Sequence, residues 1–586
     1  MLGIGILQGN GKKHKDTAAH NRQTKGCLEA ASDVGFYTGN IVVSGAAIGL
    51  PGTGKKVFDA DNFDIIISGT NLIEPLSLEE KEKMLDKNVV RLFKEPDGNA
   101  RFVKITSTED VIQLAGQLGY FDLKEEYGIK HKYDLAMSLA LAAGFEALKD
   151  AHIPLVMQYR ETSAGTEIPN GFALPKMMQQ STGVILSSVF SNSETLIDEM
   201  ERYYCNKFFV KPYEEFENIY YHLMETVKEP KIKQQISAWF FYIMEKRKTY
   251  ETYEFDRNFI LNFCPLGAAH FAQIIRAKGP NLNVNGACAS TTEALGVAED
   301  WIRTGRCDRV IVIGGESPTS PAHNQWINTA FLSLGAGSVK KTVREAAKPF
   351  DEARNGTILG SGAVSIIMEK QDCVRQRGLN GQAQVMGTHL ANSAFHAFNI
   401  DVRHLANEMN RFLTGIEKRY ALDKSDYPSR LLLMSHETYT PARGGSADAE
   451  VMALRTCFPD NYQKVVISNT KGFTGHTLGA GIEDAVLIKS MQKGQAPPIA
   501  NLTHIPEAFK DLNLNKNPHG NYEFGFHMAA GFGSHLAFIF FKRIDEQGIE
   551  NNPEYKDWLR QISNSTDPLV TLIDNILCIS DQQKEA

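Results

Sequence analysis

One cysteine lies in a setting that favours nucleophilic chemistry. Cys288 stands in the run 283–291, NVNGACAST, between strand-like residues and a helix-forming run that begins at Thr291. A thiol at such a strand-to-helix corner lies beside the unpaired N–H groups of the helix, which stabilise a thiolate. A cysteine between alanines is also an ordinary small, buried hydrophobic residue. Cys288 is therefore a candidate nucleophile whose assignment depends on its neighbours.

Two histidines are the natural partners of this thiol. His436 follows the apolar run 431–434, and His476 ends the small-residue turn 471–476, KGFTGH, which follows the apolar run 465–467. Site residues gather at the carboxyl ends of strands in α/β sheets. A further segment, 530–533, AGFG, has glycines that permit close backbone approach to a ligand. The four segments together predict one active site.

The elements that must position these residues alternate along the chain. Apolar runs predict strands at residues 41–46, 184–188, 309–314, 362–368, 431–434, 465–467 and 538–541. Helical periodicity is found at 133–150, 291–303 and 484–493, whereas 157–177 is predicted to be a loop and 568–578 a short helix. This alternation predicts an α/β protein whose sheets are covered by helices.

Composition excludes several classes. The net charge of −7 over 586 residues gives no reason to expect nucleic acid. The eight cysteines include no CxxC pair, which argues against a disulfide framework or a structural zinc site. We find neither a signal-peptide pattern nor an apolar stretch of membrane-spanning length. We therefore expect a soluble cytoplasmic protein that binds no metal.

One motif is misleading. Residues 49–56, GLPGTGKK, nearly match the phosphate-binding loop G-x-x-x-x-G-K-[ST]. Lys56 replaces the hydroxyl that would hold Mg²⁺, and residues 57–62 do not start a convincing helix. We interpret the segment as a surface turn.

The ordered motifs resemble the β-ketoacyl synthases of the thiolase superfamily, the condensing enzymes of fatty-acid and polyketide assembly. The matching segments are 41–52 (IVVSGAAIGLPG), 286–290 (GACAS), 348–356 (KPFDEARNG), 436–440 (HETYT), 471–476 (KGFTGH) and 531–533 (GFG). The resemblance covers about residues 38–543.

The resemblance implies a role for each matching residue. Cys288 would accept the acyl chain as a thioester, and His436 and His476 would support decarboxylation of a malonyl thioester. Lys471 would orient and tune the two histidines. The backbone amides of Cys288 and Phe532 would form the oxyanion hole.

The resemblance also assigns the substrate contacts and the partners. Phe532 would gate the acyl pocket, and Thr438 and Thr440 would hydrogen-bond the pantetheine arm. No cofactor would be bound, because an acyl carrier protein supplies the phosphopantetheine. Family members are usually homodimers.

The implied fold is the five-layered αβαβα thiolase fold, made of two similar halves. We predict an N-terminal extension or linker (1–37), a first half (38–370) with an insertion at about 189–260, a second half (371–543) and a C-terminal extension (544–586). The insertion is rich in aromatic residues at helical spacing. It is expected either to pack against the body or a second subunit, or to form a wall of a substrate tunnel.

Some positions depart from the family pattern. Glu437 stands where the family usually has glycine after the first histidine, and the final turn, 531–535, lacks the usual Gly-Thr-Asn. These departures leave substrate identity open. The alternative to an enzyme is a non-catalytic subunit of the same fold that shapes chain length or scaffolds a partner synthase. The intact set of one cysteine and two histidines favours the enzyme.

Overall fold

The structure is a computed structural model that describes residues 36–94, 99–163, 165–264, 266–440, 445–514, 518–545, 548–549 and 552–581. The predicted N-terminal extension, 1–37, lies almost wholly outside the described residues.

The strands of the described residues are β1 (Ile41–Gly49), β2 (Glu74–Pro75), β3 (Val90–Lys94), β4 (Ala100–Lys104), β5 (Leu114–Ala115), β6 (Leu155–Glu161), β7 (Glu167–Ala173), β8 (Thr182–Ser187), β9 (Asn281–Val284), β10 (Arg309–Glu316), β11 (Gly362–Lys370), β12 (Ala383–Asn392), β13 (Leu431–Met434), β14 (Val466–Ser468), β15 (Phe524–Gly531), β16 (His535–Arg543), β17 (Pro568–Ile573) and β18 (Ile576–Asp581).

The α-helices of the same residues are α1 (Asn62–Ile67), α2 (Leu78–Leu85), α3 (Leu123–Tyr127), α4 (Leu135–Asp150), α5 (Lys176–Gln179), α6 (Ser193–Cys205), α7 (Tyr213–Thr226), α8 (Pro230–Lys248), α9 (Phe259–Phe263), α10 (Gly267–Ile275), α11 (Ser290–Arg303), α12 (Pro321–Ser333), α13 (Val343–Ala346), α14 (Gln371–Arg375), α15 (Val402–Tyr420), α16 (Ser446–Cys457), α17 (Lys471–Thr474), α18 (Glu483–Lys493) and α19 (Pro553–Ser563).

The main sheet contains the same topology twice. Its ten strands follow the order β14-β13-β15-β16-β12-β1-β11-β10-β8-β9. In the first half, β1-β11-β10 are antiparallel and β10-β8-β9 are parallel. In the second half, β12-β16-β15 are antiparallel and β15-β13-β14 are parallel. The halves meet where β1 pairs with β12. The prediction of two similar halves is confirmed, and their exact limits stay a prediction.

Helices separate and cover the two halves of this sheet. Helices α11 and α18 contact strands of both halves, so they form a central layer. Helices α4 and α10 cover the outer face of the first half, and α15 and α16 cover that of the second. Strands covered on both faces read as nearly continuous apolar runs. This explains why all eight residues of β10, RVIVIGGE, are buried.

Two predictions of local structure are wrong. Residues predicted as a loop at 157–177 contain the antiparallel pair β6 and β7, and the helix predicted at 568–578 is the hairpin of β17 and β18. Strand β18 pairs with β6, which completes a four-stranded sheet. The hairpin turns at Asp574 and Asn575, both with positive φ (46° and 57°), as the two-residue turns of hairpins require. The C-terminal extension thus packs on the body of the protein.

The insertion is helical, as its aromatic spacing predicts. It contains α6 to α9 and a π-helical turn, Asn206–Val210. Its apolar contacts are sparse: Phe240 and Ile243 are buried, whereas Trp239, Phe241 and Tyr242 are exposed. Packing against the body therefore does not account for these exposed rings, and packing against a second subunit stays a prediction.

Within the described residues, no helix is both long enough and apolar enough to cross a lipid bilayer.

The packing of the C-terminal extension can be tested at Trp558, which is 5% exposed and lies under the Arg377 guanidinium. Trp558→Ala should lower the free energy of unfolding by about 3–5 kcal/mol, because it removes a buried indole from the core. The control, Trp239→Ala, should cost less than about 1 kcal/mol, since Trp239 is 46% exposed. Chemical denaturation followed by circular dichroism measures both changes. Equal losses in the two variants would contradict the described packing.

Candidate active site

The turn that carries Cys288 is tightly fixed. Cys288 lies in one 3₁₀ turn, Ala287–Ala289, between β9 and α11. The Ser290 hydroxyl donates to the Ala287 carbonyl (2.6 Å) and accepts from the Gly286 N–H (3.0 Å). Ala287 has a φ of 51°, a conformation that non-glycine residues rarely adopt. Such strain persists where the surrounding contacts hold it, often at functional sites.

Cys288 packs beside an apolar wall. The wall consists of the buried side chains of Ile327, Phe331, Leu359 and Leu478, with Val189, Phe190 and Ala336 at its margin. Only the first residues of the predicted insertion, Val189 and Phe190, belong to this wall. The role of the insertion as a wall of a substrate tunnel stays a prediction.

The predicted thiolate is contradicted by the surroundings of Cys288. Its side chain keeps some solvent access, yet the atoms packed around it raise the pKa of Cys288 to about 12. Burial is the largest cause, the positive charge of Lys471 lowers the pKa, and Glu316 raises it. A helix terminus contributes up to about 2 kcal/mol, which is less than the cost of burying an ionised thiol. The thiol is therefore neutral at pH 7.

The two predicted histidines face each other. The rings of His436 and His476 are 5.9 Å apart at 87°, and both are buried. The backbone of His476 is fixed, because its N–H donates to Ile358 (2.7 Å) and its carbonyl accepts from Gly360 (3.0 Å). Among the described residues, neither ring nitrogen of His476 has a hydrogen-bond partner. Buried polar atoms are nearly always paired, so these nitrogens are available to a ligand.

Both imidazoles are neutral at physiological pH. Burial, and then the charge of Lys471, lowers the pKa of His476 to about 3. The same two causes, followed by His476, hold the pKa of His436 well below its ordinary value. A neutral imidazole has one N–H donor and one acceptor nitrogen. The pair can therefore donate to an oxygen that gains negative charge without itself losing a positive one.

Lys471 is held by a carboxylate that the sequence analysis missed. Its ammonium lies 2.7 Å from Glu483, and both side chains are buried. Burial alone would raise the pKa of Glu483, but Lys471 holds it below its ordinary value. Glu483 is the first residue of α18. Sequence offers only an acid twelve residues after a lysine, which is too common a pattern to mark a site.

A second missed acid, Glu450, lies in α16. It is 3% exposed, and its oxygens make no hydrogen bond of regular geometry within the described residues. Burial raises the pKa of Glu450 to about 8, although the nearby Ser435 hydroxyl lowers it. Glu450 is therefore a buried acid with a near-neutral pKa close to His436.

Phe532 lies where predicted, close to the turn of Cys288. A Cβ atom at Gly531 would lie 2.2 Å from the Gly286 carbonyl oxygen, so the two backbones are in direct contact. The Phe532 ring is 6.0 Å from that of Phe331, a residue of the apolar wall. The ring is 38% exposed. Phe532 thus lies between the wall and solvent, and its roles as gate and oxyanion donor stay predictions.

Thr438 and Thr440 flank a buried tyrosine and are themselves partly exposed. The Thr438 N–H donates to the Ser446 hydroxyl (3.1 Å). The Tyr439 hydroxyl donates to the Lys471 carbonyl (3.3 Å), which ties this segment to the turn of His476. Contact with pantetheine stays a prediction.

In the segment that resembles a phosphate loop, Lys55 bonds to residues close to it in sequence. The Lys55 ammonium donates to the Asn62 side chain (2.7 Å) and to the Lys56 carbonyl (2.5 Å). These bonds occupy the group that would reach a phosphate, which agrees with a surface turn.

Family models match one segment in each half of the chain. "Beta-ketoacyl synthase, N-terminal domain" matches residues 246–373, and "Beta-ketoacyl synthase, C-terminal domain" matches residues 433–503. These ranges include Cys288, His436, Lys471 and His476. In these two ranges the chain is similar to β-ketoacyl synthases.

Individual relatives are similar to this chain over part of their length. The chain is 29% identical over 274 residues to a 3-oxoacyl-[acyl-carrier-protein] synthase 2 of Staphylococcus aureus, which covers 46% of this chain and 63% of the relative. It is 28% identical over 260 residues to the Coxiella burnetii protein of the same name, covering 44% and 59%. The matches thus span less than two thirds of these curated relatives.

Solved structures share the thiolase fold. A β-ketoacyl synthase from Burkholderia phymatum has a TM-score of 0.59 at 17% identity, covering 86% of this chain and 100% of that one. A type II polyketide ketosynthase in complex with its acyl-carrier protein has a TM-score of 0.57 at 18% identity, with the same coverage. The ishigamide ketosynthase/chain length factor has a TM-score of 0.58 at 15% identity, covering 86% and 99%.

The raised pKa predicts how Cys288 reacts with iodoacetamide. Because the thiolate is the nucleophile, the alkylation rate should rise about tenfold per pH unit from pH 7 to 9.5 without a plateau. A free thiol of ordinary pKa, near 8.5, should level off in that range. Peptide-resolved mass spectrometry separates Cys288 from the other cysteines. A plateau below pH 8 would show that the thiol is acidic after all.

Proposed function

We propose that this protein is a decarboxylative β-ketoacyl synthase that condenses an acyl thioester with a malonyl-type thioester on acyl carrier protein. The observation that carries the proposal is the pair of neutral, buried histidines, one with both ring nitrogens unpartnered, in the same site as a cysteine beside an apolar wall. The reaction belongs to fatty-acid or polyketide biosynthesis, and the enzyme is an acyltransferase.

The first half-reaction loads the acyl chain. The sulfur of Cys288 attacks the thioester carbonyl, and the carbon–sulfur bond to pantetheine breaks. The thiol proton passes to the departing pantetheine sulfur, so no net charge is created. Covalent capture divides one difficult condensation into two easier steps. The apolar wall receives the hydrocarbon part of the chain.

The second half-reaction makes the carbon–carbon bond. The malonyl carboxylate leaves as CO₂, and its bonding electrons form an enolate on the remaining thioester. His436 and His476 donate N–H groups to the enolate oxygen, since preorganised donors stabilise charge as it develops. The enolate carbon attacks the acyl carbonyl, and the Cys288 thiolate departs and regains a proton.

The remaining residues support these steps. The backbone amides of Cys288 and Phe532 form the oxyanion hole of the condensation, and the Phe532 ring gates the acyl pocket. Lys471 tunes the two histidines. Thr438 and Thr440 hydrogen-bond the pantetheine arm. Both threonines are partly exposed and follow the buried His436 in sequence, which supports contact with an arm that enters from solvent.

The proposed partners are an acyl carrier protein and a second copy of the chain. The names of the Staphylococcus aureus relative and of the ketosynthase complex both include an acyl carrier protein. Strand β9 lies at the edge of the main sheet. An edge strand can pair with another chain, which favours a homodimer. The phosphopantetheine arrives on the carrier, so we propose no bound cofactor.

Separating the half-reactions tests this function. Cys288→Gln places an amide where the thioester would be, so the variant should release CO₂ from malonyl-carrier protein but form no condensation product. His476→Ala should still acylate Cys288 yet decarboxylate about 10²–10³-fold more slowly, because it lacks one donor to the enolate. CO₂ release and intact protein mass measure these two activities.

The outcomes distinguish the rival functions. A wild-type protein that neither acylates nor releases CO₂, while binding a partner synthase, would indicate the non-catalytic subunit. If His476→Ala decarboxylates at the wild-type rate, His476 does not stabilise the enolate and the proposed mechanism is wrong.

A further inference from the structure

A buried carboxylate occupies the position next to His436. Glu437 is 1% exposed. One of its oxygens accepts from the Tyr439 N–H (3.1 Å) and lies 3.8 Å from the Arg354 guanidinium. The other accepts from the Ser446 hydroxyl (2.5 Å). The carboxylate is thus joined to Tyr439 and Ser446 nearby in sequence, and to Arg354 and the Phe350 backbone farther away.

These contacts form a continuous chain to Thr438. Ser446, which donates to Glu437, accepts from the Thr438 N–H (3.1 Å) and lies 3.4 Å from its hydroxyl. Ser446 is also the first residue of α16. The Glu437 carbonyl accepts from the Asn469 side chain (2.9 Å), just after β14. Glu437 thus joins Thr438 to the start of α16 and to the residue that follows β14.

The segment needs such support because its backbone is strained. Tyr439, between the two threonines, has a φ of 47° although it is not glycine. This conformation persists only where neighbouring contacts fix it. The Tyr439 N–H bonds to Glu437, and its hydroxyl bonds to the Lys471 carbonyl and accepts from the Ile358 N–H (3.3 Å). Glu437 therefore fixes the N-terminal side of the strained residue.

Burial of an acid such as Glu437 costs desolvation free energy, which its polar contacts must offset. The pKa of Glu437 lies above its ordinary value, because desolvation by burial outweighs the Ser446 hydroxyl and Arg354, which lower it. A residue without a side chain would avoid the cost but would leave Ser446 and the Tyr439 N–H without this acceptor. Glutamate at this position thus loses solvation of its charge but fixes the conformation of the loop.

We propose that Glu437 is a positioning residue that clamps segment 438–440 in the conformation that binds the pantetheine arm of the substrate. The inference rests on the proposed function, since it assigns the arm to Thr438 and Thr440. The carboxylate contacts Ser446, Tyr439, Arg354 and the Phe350 backbone rather than the histidine rings. Its loss should therefore weaken binding of the arm and leave the decarboxylation step intact.

The test compares Glu437→Ala, Glu437→Gln and Ser446→Ala with malonyl-pantetheine as substrate. Glu437→Ala should raise the KM for CO₂ release about tenfold, the equivalent of one or two lost hydrogen bonds, with kcat unchanged. Glu437→Gln should recover part of the loss, because its amide can still bond Ser446 and Tyr439. The double variant Glu437→Ala/Ser446→Ala should be no worse than Glu437→Ala, since both act through one chain of contacts.

A matched control is Glu408→Gln. Glu408 also pairs with an arginine, Arg411, but lies on the outer helix α15, so this variant should keep the wild-type KM. Thermal unfolding checks that each variant folds. If Glu437→Ala does not fold, the KM of Ser446→Ala provides the test.

The outcomes distinguish the clamp role of Glu437 from the proposed synthase function. An unchanged KM in the folded Glu437 and Ser446 variants, or a lower kcat at constant KM, would overturn the clamp alone. A wild-type protein that releases no CO₂ would instead refute the proposed function.

Discussion

The buried ion pair of Lys471 and Glu483 is the charged contact on which the site depends. Two charges removed from water are costly, and losing one partner would leave the other unpaired in the interior. After burial, Lys471 is the largest influence on the pKa of both histidines, and it also lowers that of Cys288. Glu483 in turn keeps Lys471 in place from the first turn of α18. Burial and the charge of Lys471 together keep the histidine pair neutral, and Glu483 is the contact that holds Lys471 there.

Hydrogen bonds within the central layer connect α18, which carries Glu483, to the helix that follows Cys288. Thr292, on the helix after Cys288, donates to Asp484 of α18 (2.8 Å), and Asp484 also bonds His527 of β15 (2.8 Å). The Thr291 hydroxyl donates to the Gly479 carbonyl (2.9 Å). Each half of the repeated fold contributes one central helix, so the thiol of one half and the histidines of the other are fixed by the same layer.

Local sequence patterns predict the covered strands of the fold and the turns that carry site residues. Fully covered strands read as apolar runs, and Cys288 and His476 stand in distinctive turns. Partners across layers leave no such trace: Glu483 is an ordinary acid in a helix until the fold brings it to Lys471. The two-residue turn of the hairpin at Asp574 is a local sequence signal, but β6, the strand with which the hairpin pairs, lies over 400 residues earlier in the chain. The thiolate prediction fails because burial depends on packing that the sequence does not show.

The central claim is that Cys288 accepts the acyl chain, and its direct test is the site of acylation. The wild-type protein would be incubated with acyl-carrier proteins loaded with chains of several lengths, digested, and examined by peptide-resolved mass spectrometry. The account predicts an acyl group of at least one length on the peptide containing Cys288, released by hydroxylamine as thioesters are. Acylation of a different cysteine, or of none with any chain offered to the folded protein, would contradict it.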